Sequence, residues 1–198
     1  MAAPKDQMYL QALVESERPA RVVGLFTAHA MKPQDLLRLV SACVNSMREE
    51  DGAASLTVAP MGNPSPQDLA KQRTWRVTVV DGGEANPHDC LVQVFDVHDP
   101  ESPHRALLDH IGGRDRELSE AASHLQQNAQ TYLAIASGKL DEHERIHPFQ
   151  NLVSLFASAL GAAIVDPAAA IVTTDPAEWA DAMEQSLHIE KEMGALRR

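Results

Sequence analysis

The sequence predicts an α+β fold, a mixed sheet built from two β-α-β units and a central hairpin with helices mainly on one face, in a single domain spanning residues 1–198. Three observations lead there. Thr131 to Ala170 reads as strand, polar loop, helix and strand, because the apolar run Tyr132, Leu133, Ile135 and the β-branched pair Ile164-Val165 flank a helical pattern of Leu152, Leu155, Phe156 and Leu160. Leu36 to Val44 (LLRLVSACV) aligns without gaps on Leu152 to Leu160 (LVSLFASAL). Each helix follows a strand and a proline and leads to Gly-Ala-Ala and another strand, which suggests two pseudo-repeated halves, 20–60 and 130–170. Trp75 to Val80 and Leu91 to Val97 are strand-like and bracket Asp81-Gly82-Gly83, a turn signal that makes them an antiparallel hairpin with a long loop.

The elements follow in order. Tyr9 to Glu17 reads as a short helix or edge segment closed by Arg18-Pro19, and Arg21 to Thr27 as a strand at least partly buried. Pro33 suits the first turn of an amphipathic helix given by Leu36, Leu37, Leu39, Val40, Cys43, Val44 and Met47, ended by the charged run before Gly52. Ser55 to Ala59 is a short strand, Pro60 to Pro66 a proline-broken loop and Gln67 to Arg73 a helical turn. After the hairpin come a loop at His98 to His104, a short helix around Leu107, and a second helix that starts near Asp115 and runs through Leu118, Ala121, Ala122, Leu125 and Ala129. Beyond Ala170, Ile171 to Thr173 reads as a strand, Thr174 or Asp175 as a cap, Pro176 as the first helical turn and Trp179, Ala182, Met183 and Leu187 as a buried stripe. The tail EKEMGALRR is expected to fray.

Composition bounds the function. A chain of 198 residues can bury about 70% of its unfolded surface in one core. Its formal charge of -11, from 17 basic and 28 acidic residues, argues against nucleic acid and anionic membrane as partners and favours a basic protein. No basic region followed by an apolar run opens the sequence, and Leu152 to Val165 is too short to span a bilayer, so a cytoplasmic location is expected. Cys43 and Cys90 lack CxxC spacing and read as buried small apolar groups.

Catalytic signatures are weak. His88, His98, Asp99 and His104 carry metal-ligating groups, but a loop with two prolines supplies no ordered ligand spacing. His143 and His147 have i, i+4 spacing, yet Pro148 disfavours a helix there, and the segment reads as a solvated loop. Neither GxSxG nor a phosphate-binding glycine frame occurs, and two Trp, two Tyr and four Phe supply no stacking platform. Two function classes stand: a non-enzymatic binding or accessory protein with no cofactor, or a metal-assisted hydrolase using the His98–His104 loop. For the first, Asp96, Asp99, Glu101, Asp141, Glu142 and Glu144 are the candidate partner-binding residues, because they lie in two loops that each follow a strand and are expected to converge at one sheet edge.

Residues 124–183 resemble a bacterial domain-of-unknown-function family, the one numbered 4261. The resemblance rests on a polar helix ending in Ala129-Gln130, the strand Tyr132 to Ala136, a Leu-rich helix ending in Gly161-Ala162-Ala163, the strand Ile164-Val165 and an element around Trp179. It implies a bacterial cytosolic protein and brings no catalytic residues; by analogy, an immunity-type inhibitor of a basic partner fits it.

Overall fold

The structure is a computed structural model and describes residues 21–50, 55–61, 73–80, 88–138, 140 and 143–196, with the side chains of 45–50, 143–145, 191 and 194–196 outside that description. The elements run β1 (Arg21–Thr27), α1 (Asp35–Glu50), β2 (Ser55–Pro60), β3 (Thr74–Val80), β4 (His88–Asp96), α2 (His104–Gly112), α3 (Arg116–Asn128), β5 (Thr131–Ser137), α4 (His143–Leu160), β6 (Ala163–Asp166), β7 (Ile171–Thr173) and α5 (Pro176–Leu196). The α+β class expected from the sequence is what the chain adopts. Tyr9 to Glu17, Gln67 to Gln72 and the hairpin turn Asp81 to Gly83 lie outside the described residues.

The strands form one seven-stranded sheet in the order β2-β3-β4-β5-β1-β6-β7. Every neighbouring pair is antiparallel, so the expected mixed sheet is corrected to an antiparallel one. The reason is insertion. β5 and β6 run parallel to each other, as a β-α-β connection requires, but β1 lies between them, with Leu25 opposite Leu133 on one side and Ile164 on the other. β1 and β2 also point the same way, but with three strands between them. Both helical crossovers therefore skip strands and produce no parallel ladder. The hairpin is present, with Trp75 opposite Val92 and Val77 opposite Cys90.

Helices cover both faces, not mainly one. Along β5 all seven residues are buried, and alternation sends Leu133 and Ile135 to one side and Tyr132 and Ala134 to the other. The first side carries the larger apolar cluster, in which Val23, Leu25, Val77, Val92 and Ile164 meet Leu36, Leu39 and Cys43 of α1, Phe149, Leu152 and Phe156 of α4, and Trp179 and Met183 of α5. The second carries Phe26, Phe95, Tyr132 and Val165 under Leu108 and Ile111 of α2 and Ala122 of α3. Gly24 permits this second layer: a Cβ there would stand 2.7 Å from Leu107 Cδ2 and 2.8 Å from a Tyr132 ring carbon. Towards β2 and β3 that face turns polar, and Ser55, Thr57 and Arg76 are exposed.

Local chemistry sets the helix ends. Asp115 caps α3 by accepting the Leu118 N–H at 2.9 Å, and Asp175 caps α5 by accepting the Ala177 N–H at 2.9 Å, with Pro176 at the first helical position. α4 ends in a Schellman arrangement, the Ala162 N–H bonding the Ala157 carbonyl at 2.9 Å and the Gly161 N–H that of Ser158 at 3.3 Å, with Gly161 at φ +55°. Two expectations are corrected here. The segment from His143 is helical in spite of Pro148, which lies just beyond the first turn and so removes a single intrahelical bond. The tail is helical as far as Leu196. The inward stripe of α4 is also rotated from the one expected, since Phe149, Leu152, Val153, Phe156 and Ala157 are buried while Leu155 and Leu160 are half-buried flanks.

Phe156→Ala should therefore cost about 3 to 5 kcal/mol in urea unfolding, and Leu155→Ala less than about 2. A larger loss at Leu155 than at Phe156 would mean that α4 presents its other flank to the sheet.

Candidate functional site

The acidic loop between β4 and α2 is built by its own side chains. Asp96 Oδ1 accepts the His98 N–H at 2.8 Å and Asp99 Oδ1 the Glu101 N–H at 2.9 Å. Backbone bonds from Asp99 to Asp96 and from Ser102 to Asp99, each 3.0 Å, complete two consecutive turns. Arg73, just before β3, reaches across to Asp99 Oδ2 at 2.8 Å and Glu101 Oε2 at 3.6 Å. Arg73 pairs with two of the loop's three carboxylates, Asp99 and Glu101, so the three together stay net negative. Asp96 and Glu101 are exposed, while Asp99 is half-buried.

The second predicted group does not join them. β4 and β5 are antiparallel, with Asp96 opposite Thr131 at one end and Cys90 opposite Ser137 at the other. The loop after β5 therefore leaves the far end of the sheet, roughly 20 Å away along a seven-residue strand. Asp141 and Glu142 lie outside the described residues, as does the Glu144 side chain, whose backbone is helical. The convergence expected from two loops after strands fails because successive strands here run in opposite directions.

The histidines are likewise scattered. His98 is exposed on the acidic loop. His104 turns inward, 3% exposed, with Nδ1 2.8 Å from Ser102 Oγ and its ring against Tyr132. Desolvation lowers its pKa, and the Arg105 and His98 charges lower it further. His88 is buried at the opposite end of β4, Nε2 2.9 Å from Ser137 Oγ. His147 is exposed on α4. Among the described residues no group of three or more His, Cys, Asp or Glu is placed to hold a metal ion. Burial pushes the Cys43 thiol up to about 11 and the Cys90 thiol well above its ordinary range, so neither is a nucleophile at neutral pH.

Sequence reasoning missed a buried polar row at the end of the sheet away from the acidic loop. Arg21 opens β1 and donates from Nε (3.0 Å) and Nη2 (2.8 Å) to Asp166 Oδ2 at the end of β6, and Nη2 also donates to Ser186 Oγ on α5 at 2.8 Å. The same Oδ2 accepts the Trp179 indole N–H at 3.0 Å. Asp166 Oδ1 accepts the Ala168 and Ala169 N–H groups at 3.0 and 3.1 Å, shaping the turn in which Ala170 takes φ 54°. His88 and Ser137 continue the row across β4 and β5, Ser137 being Arg21's register partner. The only sequence signal was Asp166-Pro167 after a β-branched run, which reads as an ordinary turn. Five donors on one carboxylate use its lone pairs, so the row holds elements together and offers no free base.

Compared with known proteins, the chain matches no protein-family model, no curated relative and no solved structure. No helix among the described residues is long and apolar enough to cross a membrane.

Asp166→Ala should cost about 3 to 5 kcal/mol in denaturant unfolding, because it leaves Arg21 buried and uncompensated, whereas Arg21→Met added to Asp166→Ala should recover part of that loss. A double variant as unstable as the sum of the two single variants would show that the charges are not coupled. His104 gives a pH signature. Its lowered pKa keeps the ring neutral in the fold while the unfolded chain takes up a proton near pH 6.5, so its contribution is present above that pH and is lost as pH falls below it. The urea midpoint should fall more steeply between pH 7.5 and 5 for the parent than for His104→Gln, and parallel curves would count against the buried neutral ring.

Proposed function

We propose that this chain is a non-enzymatic cytoplasmic binding or accessory protein that recognises a basic protein partner, inhibition of a toxin by an immunity-type protein being one concrete form. The carrying observation is the acidic loop, whose Asp96 and Glu101 carboxylates stand exposed on a chain of formal charge -11 while its backbone is held by its own turns. A pre-ordered anionic loop lowers the entropy lost on docking and steers a cationic partner before contact. Relationship of residues 124–183 to the bacterial family numbered 4261 is part of the same proposal. The metal-assisted hydrolase reading draws less support, because His104 faces Ser102 and Tyr132 while His98 lies in the exposed loop.

Because the two acidic loops leave opposite ends of the sheet, only one pair of charge reversals should matter. With a basic partner isolated by cross-linking to the intact chain, the association rate should fall at least about tenfold as salt rises from about 0.01 to about 0.15 M, where the Debye length shrinks from about 30 to about 8 Å. Asp96→Lys with Glu101→Lys should slow association similarly at low salt and leave the unfolding midpoint nearly unchanged, while Glu142→Lys with Glu144→Lys should not. Association indifferent to salt and to the loop reversals would reject the acidic loop as the binding surface.

A further inference from the structure

α2 docks on the sheet through a stripe whose first member is titratable. His104, Leu108 and Ile111 lie at i, i+4 and i+7, and all three are buried. His104, 3% exposed, rests against the Tyr132 ring at a centroid separation of 6.4 Å, and Tyr132 has Phe26 and Phe95 as its own ring neighbours at 4.9 and 5.9 Å. The same imidazole holds the acidic loop that precedes it. Its Nδ1 stands 2.8 Å from Oγ of the buried Ser102, the Ser102 N–H donates to the Asp99 carbonyl, and the Asp99 N–H donates to the Asp96 carbonyl. The loop's near end is tied to the sheet separately, by the Val97 N–H donating to the Gln130 carbonyl at 3.1 Å. Its far end closes on His104.

A charge on that ring would meet no counter-ion among the described residues. On α2 itself Arg105 follows, and His104 as the first helical residue stands where unpaired N–H groups already concentrate positive charge. From the loop, His98 adds a further cation when protonated. The loop's carboxylates are engaged elsewhere, Asp96 with the His98 N–H, Asp99 with the Glu101 N–H and Arg73, and Glu101 with Arg73. β5 presents the Tyr132 phenol, which burial keeps neutral, while β1, β4 and α3 bring Phe26, Phe95 and Ala122 to the same cluster. Desolvation, Arg105 and His98 together lower the pKa of the ring. Once the loop opens, the ring regains its ordinary value of about 6.5. Below that pH the open arrangement takes up a proton that the closed one refuses, so acid favours opening.

We infer that the acidic loop is an acid-released element: protonating His104 detaches the start of α2 and frees the turns that order Asp96, Asp99 and Glu101. Release of a basic partner by acid follows only if the loop binds one, whereas the opening itself is a property of the chain alone. Amide hydrogen exchange of the full chain without a partner, followed by NMR and expressed relative to the unstructured rate at each pH, reads the opening directly. Exchange at Ser102 and Asp99 should accelerate at least about threefold between pH 7 and 5.5, with little dependence on urea below the unfolding transition. His104→Gln should remove this pH dependence and His98→Asn should leave it. Loop exchange that is flat with pH overturns the proposal, as does a dependence that survives His104→Gln or disappears in His98→Asn. A steep urea dependence overturns it too, because the ring would then be exposed only by unfolding of the whole chain. Should His104→Gln fail to fold, the proton NMR titration of the His104 ring in the parent decides, a midpoint below 6.5 supporting the proposal and one at or above 6.5 overturning it.

Discussion

One carboxylate ties the two ends of the described chain together. Asp166 ends β6, and on it converge the guanidinium of Arg21 at the start of β1, the indole of Trp179 on α5 and two amides of the turn into β7. Burying such a charge carries a desolvation penalty of several kcal/mol, offset only where partners fill its lone pairs. Here they do. The consequence is positional: β6 must lie beside β1, the turn must follow at once, and α5 must cross where its Trp179 and Ser186 meet the pair. An apolar pair in the same place could pack as well, but it would hold neither the turn amides nor the angle of α5.

Around this tie the sheet is covered by two layers of unequal kind. α1, α4 and α5 bury the larger cluster, with Phe149 against Trp179 at a ring separation of 6.2 Å. The α2–α3 pair covers the other face over the central strands, and it can come close because Gly24 leaves room for Leu107 and Tyr132. Where that cover ends, the residues of β2 and β3 become polar, as an antiparallel sheet with one wet face requires. The continuous apolar run of β5 and the alternating pattern of β2 belong to the same sheet for this reason.

Polar chemistry in this molecule divides by location. Inside the fold, His88, His104, Arg21 and Asp166 are each engaged with a neighbour; outside it, the acidic loop is held by local turns and partly neutralised by Arg73.

The residues alone determined the identity of nearly every described element, a helix start near Asp115 and a cap at Thr174 or Asp175, because strand runs and helical stripes are read from neighbours a few positions away, whereas the structure fixed Asp115 and Asp175 as the capping side chains. They also determined the loop that carries Asp96, Asp99 and Glu101. Strand order was a different matter. Nothing in the sequence says that β1 slides between β5 and β6, yet that insertion makes the sheet antiparallel throughout, sends the two acidic loops to opposite ends and brings Arg21 to Asp166 across 145 residues of chain. The rotation of α4 by part of a turn, which buries Val153 in place of Leu155, was settled by the sheet and by α5 packing on it. Local pattern specifies which side of an element is apolar, but only the tertiary neighbours decide what that side meets, because burial energy is non-directional and is shared among whichever surfaces topology brings together.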